Sequence, residues 1–272
     1  MTTLDLEAFQ AAAEMARADF AAAEPFPHCV VDGFLRTDAA AAVEREFDGT
    51  ADAWTYLHHV NEKKRILGDV DSMGPATRAL VAELQSPAFL RALETLTGIA
   101  GLQPDPDLDG GGLAEMAPGG FLNVHRDFLA HTTRTQWSRQ VNLLLFLNHD
   151  WPDDYGGDLE LWDAGVTRCV RSILPVMNRC VIFVTGKTSF HGVPRGVHCP
   201  AGRARRSLAL YYFRDEGAER PLDPTYYMPT PDDPPTRRAL IRLDTWAIRV
   251  YSWLKRHTPI GDALASRILR RL

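Results

Sequence analysis

His125, Asp127 and His191 are the residues whose types and spacing suggest chemistry. They stand in VHRDF and SFHGV, with His191 64 positions after Asp127. Two imidazoles and one carboxylate on one face of a metal leave the opposite face open. That suits a non-haem Fe(II) centre, where oxygen and an organic substrate both need room at the iron. Zinc accepts the same donors, but nothing in the chain resembles a zinc hydrolase with its Glu base. A His-x-Asp pair alone is weak evidence in a chain with nine His. The surroundings of all three residues narrow it, as does Arg205, fourteen positions beyond His191.

Several elements are expected to position these groups. RQVNLLLFLN over 139–148 is β-rich and is followed by the turn segment HDWPDDYGG and the alternating DLELW. Apolar run, Pro/Asp/Gly punctuation and alternating strand read as a hairpin. CVIFVT over 180–185 is a buried strand with His191 just past its end, and RRSLALYYF over 205–213 is another. Alternate side chains of a strand share a face. Arg205, Ser207, Ala209 and Tyr211 therefore point together, and Arg206, Leu208, Leu210 and Tyr212 point the other way. If the small Ser207 and Ala209 line a cavity, Arg205 points into it, and a buried Arg needs an anion. The far carboxylate of a five-carbon diacid chelating the iron would fit, gripped by two parallel hydrogen bonds.

From about Gly119 to Phe213 the chain resembles the prolyl-4-hydroxylase-like branch of the Fe(II)/2-oxoglutarate dioxygenases. The pieces that carry the likeness are GGFLNVHRDF, RQVNLLLFLNHDW, GGDLELW, FHGVP and RRSLALYYF, in family order and at family-like spacing. PFPHCVVDGFL extends it more loosely towards the N-terminus. The resemblance implies a double-stranded β-helix, or jelly roll. It implies Fe(II) on His125, Asp127 and His191, 2-oxoglutarate held by Arg205, and O2 as cosubstrate. Arg206 is the competing candidate for the carboxylate. The implied reaction is hydroxylation of an unactivated C–H with release of succinate and CO2. One position departs from the family: where many members carry a Tyr whose hydroxyl helps hold 2-oxoglutarate, this chain has Phe146. Asn142, four residues earlier on the same strand face, is the candidate replacement donor.

The wider chain fits such a domain. Residues 4–23 and 38–47 read as helices and 28–35 as a strand. Residues 75–97 are helical, with Ser86-Pro87 opening a new helix and Gly98 closing it. Residues 102–120, rich in Asp, Gly and Pro, read as a loop leading to the metal motif. Helices first and strands later give an α+β fold: a jelly roll with flanking N-terminal helices and a C-terminal helical tail. The expected units are 1–118, helical support with the first strands; 119–215, the catalytic core; 216–235, a Pro/Asp-rich linker; and 236–272, basic amphipathic helices. His28, His58, His59, His131, His149 and His198 read as solvated loop residues, although His131 and Arg134 lie close enough to the motif to face a substrate. Trp151 and Trp162 read as hairpin core.

No apolar run reaches 18 residues, so no transmembrane segment is expected. MTTLDLEAFQ lacks the basic start and apolar stretch of a secretory signal. Cys29, Cys169, Cys180 and Cys199 form no CxxC, so free thiols in a reducing, cytoplasmic compartment are expected. Residues 236–272 hold nine Lys/Arg against two Asp/Glu, a charge of +7, which leaves −12 on the rest of a chain of net −5. Leu240, Leu243, Trp246, Ala247, Val250, Trp253 and Leu254 share one helical arc, with Arg242, Arg249 and Arg256 beside it every seven residues. The arc is expected to dock on the catalytic domain. A homodimer, a partner or an anionic membrane surface are the alternatives. Nucleic acid is not expected, because the basic charge is confined to one helix. The substrate class stays open among small molecules, carrier-bound metabolites and peptides. So does a jelly-roll binding module or an oxygen- or iron-sensing regulator acting through a partner.

Overall fold

Alternation along two long strands divides the molecule. In a computed structural model, strands β7 (Trp137–Phe146) and β12 (Arg205–Asp215) lie side by side, with Leu208 opposite Leu145 and Leu210 opposite Leu143. One face of the pair carries Leu143, Leu145, Leu208, Leu210 and Tyr212 into a core shared with the N-terminal helices. The other face carries Asn142, Leu144, Phe146, Arg205, Ser207 and Tyr211 into a cavity. The two-residue period of a strand makes this division unavoidable once the register is set. The structure describes residues 2–49, 53–221 and 223–257, the last seven as backbone only.

The helices supply the outer layer. α1 (Leu6–Ala22) is capped by Asp5, whose carboxylate accepts from Ala8 N–H. α2 (Thr37–Glu46), α3 (Pro75–Leu84) and α4 (Pro87–Thr97) follow. α4 begins on Ser86, whose hydroxyl accepts from Phe89 N–H, and ends on Gly98 at φ +72°, the left-handed conformation glycine adopts freely. Phe89, Ala92, Leu93 and Leu96 of α4 are buried beneath the sheet.

The strands form one curled antiparallel sheet that folds over on itself. One wall runs β1 (His28–Asp32), β10 (Arg179–Val184), β7, β12, β5 (Gly112–Met116) and β3 (Glu62–Leu67). β3 passes on to the second wall: β6 (Phe121–Arg126), β11 (His191–Val193), β8 (Leu159–Trp162) and β9 (Cys169–Ile173). β2 (Thr55–His59) and β4 (Leu102–Pro104) extend the edges, and β13 (Tyr226–Tyr227) pairs with β6. This is the double-stranded β-helix, with the cavity between its walls.

Some sequence expectations give way here. The run over 139–148 and DLELW do not form a hairpin. β7 pairs with β10 and β12, while β8 pairs with β9 and β11 on the opposite wall. Turn residues announce a reversal, but not which neighbour the next strand will take, and β7 already has partners on both edges. Trp151 and Trp162 are buried in two separate apolar clusters, not in one hairpin core. Residues 102–120 are not a plain loop: β5 lies inside them and pairs with both β12 and β3. Gly111 and Gly112 there serve close packing, since a Cβ on Gly112 would fall 2.2 Å from Leu67 O. His28 and His131 are buried, not solvated.

The tail is turned over relative to expectation. α5 (Pro235–His257) buries Ile241 and Thr245 and leaves Leu240, Leu243 and Trp246 exposed at 52%, 61% and 63%. Polar contacts decide the docking. Asn61 donates to Asp244 Oδ2 at 2.5 Å, Arg237 donates to Asn123 Oδ1 at 2.8 Å, and Thr245 donates to Tyr227 O at 3.1 Å. The side chains of Trp253 and Leu254, and everything after His257, lie outside the described residues. Among those described, no helix is long and apolar enough to cross a membrane.

Candidate active site

β6 and β11 bring the two histidines together. His125 and His191 are directly paired in register, and their ring centroids lie 4.5 Å apart. Asp127 follows β6, with Oδ1 3.5 Å from His125 Nε2 and Oδ2 3.5 Å from His191 Nε2. All three are buried. Each imidazole is oriented from behind: His125 Nδ1 is 2.9 Å from Asn123 O and His191 Nδ1 is 2.9 Å from Ser189 O. A carbonyl only accepts, so Nδ1 carries the proton in both rings and the Nε2 lone pairs face the shared space. Burial pushes His191 down to about 4, which keeps it neutral and able to ligate at ordinary pH. Borderline imidazole nitrogens and a hard carboxylate oxygen in this set, with both lone pairs converging, fit a divalent transition metal.

Asp127 is braced by a group the sequence reading passed over. Arg139 is buried; its Nη2 lies 3.2 Å from Asp127 Oδ2, and its Nε donates to Asn142 Oδ1 at 2.8 Å. The guanidinium sits between Phe128 and Tyr211, its Cζ 4.7 Å and 3.3 Å from their ring centroids. Burial opposes charge on Asp127, but the Arg139 guanidinium together with His191 and His125 outweighs it and holds the carboxyl well below 3.8. Asn142 donates to Asp127 Oδ2 at 2.7 Å and accepts from Thr185 Oγ1. The expected role of Asn142 as a donor to 2-oxoglutarate thus meets a different geometry: its amide nitrogen is already on the metal-ligand candidate.

Arg205 occupies the far side of the cavity. It is buried, its Nε donates to Gly157 O at 2.6 Å, and its Cζ lies 4.8 Å from the Phe146 ring. No described carboxylate stands within ion-pair distance of it. Burial brings it down to about 10, with Asp158 opposing, so it remains a cation near neutrality. Arg206 faces outward to Asp48 and Glu115. Phe146 is fully buried and offers the cavity only its ring. The cavity, about 230 Å³, is lined by His125, Asp127, His191, Arg139, Arg205 and Tyr227 among others.

Tyr227 was hidden in the segment read as a linker. β13 pairs it with His125, the two rings 5.5 Å apart, and burial raises its hydroxyl pKa strongly. A two-residue strand leaves no periodicity to detect. For Arg139 a signal did exist: it begins the β-rich run three residues before Asn142. A guanidinium at a strand end is ordinarily a solvated charge, and only the folded cavity shows otherwise.

Comparison with known proteins agrees with this geometry. Residues 111–213 match the model of the 2OG-Fe(II) oxygenase superfamily. The mouse prolyl 3-hydroxylase OGFOD1 is 23% identical over 211 residues, which is 76% of this chain and 35% of that protein. The chain therefore spans about a third of the length of this curated relative. In fold it is similar to a Trichoplax adhaerens prolyl hydroxylase in complex with a hypoxia-inducible-factor peptide fragment. The TM-score there is 0.55 at 19% identity, covering 78% of this chain and 93% of that one. A Pseudomonas putida prolyl-4-hydroxylase gives 0.52 at 22% identity, covering 74% and 98%.

Proposed function

We propose, from a chain whose central domain belongs to the 2OG-Fe(II) oxygenase superfamily and is prolyl-4-hydroxylase-like, that this protein is an Fe(II)- and 2-oxoglutarate-dependent hydroxylase. One observation carries the reading. Two oriented imidazoles and a braced carboxylate share a cavity with a buried guanidinium, and no described carboxylate stands within ion-pair distance of that guanidinium. Iron and 2-oxoglutarate, when bound, supply the oxidising chemistry: O2 is consumed, succinate and CO2 leave, and a substrate C–H becomes C–OH.

The chain's own residues do the positioning. His125, Asp127 and His191 would hold the metal through Nε2, a carboxylate oxygen and Nε2. Arg139 and Asn142 both bear on Asp127 Oδ2, which leaves Oδ1 less engaged and so the freer oxygen for a metal. Arg205 would grip the distal carboxylate of 2-oxoglutarate. Its contact with Phe146 in place of a hydroxyl makes that grip depend on the guanidinium alone among these three candidates, Arg205, Asn142 and Phe146. Tyr227 and Phe128 help wall the site from water, which strengthens every charge interaction inside it. The substrate is a small, carrier-bound or peptidyl molecule; prolyl peptides are among the candidates, since relatives are named as prolyl hydroxylases. Four free thiols suit the reducing conditions that keep iron ferrous.

The test is 2-oxoglutarate turnover by purified protein with Fe(II), read as succinate, first alone and then against peptide and metabolite libraries. Iron-dependent succinate formation that disappears in His191→Ala is the expected result. No turnover in any condition, with 2-oxoglutarate still bound, would favour the binding-module alternative.

A further inference from the structure

The face of α5 that carries Leu240, Leu243 and Trp246 is turned away from the domain that the helix docks on. These three sit at intervals of three residues, so they form one stripe. Three of the six large apolar side chains that are exposed among the described residues lie on this stripe. Ordinary burial would have turned it inward; instead, Asn61, Asn123 and Tyr227 hold the opposite, more polar side.

A basic groove runs beside the stripe. Its first part, about 600 Å³, is lined by Tyr226, Met228, Arg242, Trp246 and Arg249. A second part, about 420 Å³, shares Tyr226, Met228 and Arg249 and adds Arg126, Lys187 and Asp223. Four cations thus face one carboxylate, and that carboxylate is already engaged: Arg126 Nη2 donates to Asp223 Oδ1 at 2.7 Å. Arg126 Nη1 is buried and has no hydrogen-bond partner. A groove lined by four cations, with its one carboxylate already paired, suits phosphate-type oxygens.

We propose that α5 and this groove dock the protein on an anionic lipid surface, with Leu240, Leu243 and Trp246 in the headgroup region and lipid phosphates in the groove. Trp and Leu beside Arg on an amphipathic helix suit such an interface. Charge selects this occupant over a second copy. Helix-to-helix pairing would set one helix of six Lys/Arg and one Asp against another, whereas an anionic surface complements it. Residues 1–235, at −12, are repelled by the same surface, so attraction through α5 also fixes the orientation. The inference is independent of turnover, because none of these residues is assigned to the metal or to 2-oxoglutarate.

Co-sedimentation of the full chain with phosphatidylcholine vesicles, with and without phosphatidylglycerol, tests it. Strong binding is expected only to the anionic vesicles, weakening as salt rises. The double variant Arg242→Gln/Arg249→Gln should bind at least about twentyfold more weakly, given the attraction each cation contributes near such a surface. Leu243→Ser/Trp246→Ser should also lose binding while keeping the wild-type melting temperature and 2-oxoglutarate turnover. Binding that ignores lipid charge, or no vesicle binding at all, overturns the proposal. So does a dimer in light scattering that Leu243→Ser/Trp246→Ser dissociates, which would give the stripe to a second copy.

Discussion

Among the described residues, two clusters of His and Asp have ligand atoms close enough together to hold a metal, and they are wired in opposite senses. In His125, Asp127 and His191, both Nδ1 atoms face backbone carbonyls, so both Nε2 lone pairs are free. In Asp105, Asp107 and His131, the backbone N–H groups of Thr133 and Arg134 donate to His131 Nδ1. Nε2 then carries the proton, and it donates to Asp105 Oδ1 at 3.2 Å. The cation of that cluster is Arg134, whose Nη1 lies 2.5 Å from Asp107 Oδ2. Asp105 also accepts from the N–H groups of Asp107 and Asp109, closing the loop that leads to β5. Both clusters mix His with Asp at ligand distance, two His with one Asp in the first and one His with two Asp in the second; the backbone partner of each ring decides which one has imidazole lone pairs to offer. The first fits a metal, and the second is a structural clamp.

The largest effects should come from the first cluster. His125→Ala or Asp127→Ala should abolish iron binding, measured by metal analysis after anaerobic loading, and 2-oxoglutarate turnover with it. Full iron content in either variant would move the centre elsewhere. Next come the two arginines. Arg205→Ala should raise the KM for 2-oxoglutarate by two orders of magnitude or so, because a buried charge pair loses its cation at a cost of about 2–5 kcal/mol. Arg206→Ala should leave KM nearly unchanged, since its partners Asp48 and Glu115 lie outside the cavity.

The clamp should answer differently. His131→Ala should cost about 3 kcal/mol by removing a buried partner of Asp105, lowering Tm by roughly 6–12 °C, yet still bind one iron per chain. Iron loss without destabilisation would make it a second metal site. A third polar group gives a pH handle. Burial pushes Glu62 upward, but hydrogen bonds from His59 and Lys64 outweigh it and hold it at about 2, below the ordinary 4.5. Unfolding therefore takes up a proton between those values, so this stabilisation is present above pH 4.5 and lost as pH falls towards 2. Glu62→Gln should lower Tm near neutrality by an amount equivalent to about 2 kcal/mol, and the gap should close in that acid window. A gap constant across it would remove the pair from the account. The smallest effect is expected for Phe146→Tyr: a KM for 2-oxoglutarate a few-fold lower, about 1 kcal/mol, if the phenol reaches the carboxylate held by Arg205. An unchanged KM would mean that residue 146 does not reach it.

What the sequence determined by itself was local. Strand alternation put Arg205 with Ser207 and Ala209 and turned Arg206 away, because side-chain period follows directly from backbone geometry. Ser86-Pro87 and Gly98 marked a helix through caps that need no distant partner. The spacing of His125, Asp127 and His191 announced a donor set of the right chemistry. Tertiary structure decided everything that depends on a distant neighbour. It paired β7 with β10 and β12 instead of β8, since hydrogen-bond partners across a jelly roll come from remote segments. It put Arg139 and Asn142 on Asp127 and brought Tyr227 to His125 from a stretch with no strand signal. It also turned the apolar stripe of α5 outward. The stripe's amphipathicity was plain in the sequence, but three polar contacts to Asn61, Asn123 and Tyr227 chose the docking face, and directional hydrogen bonds are specific in a way that apolar area is not.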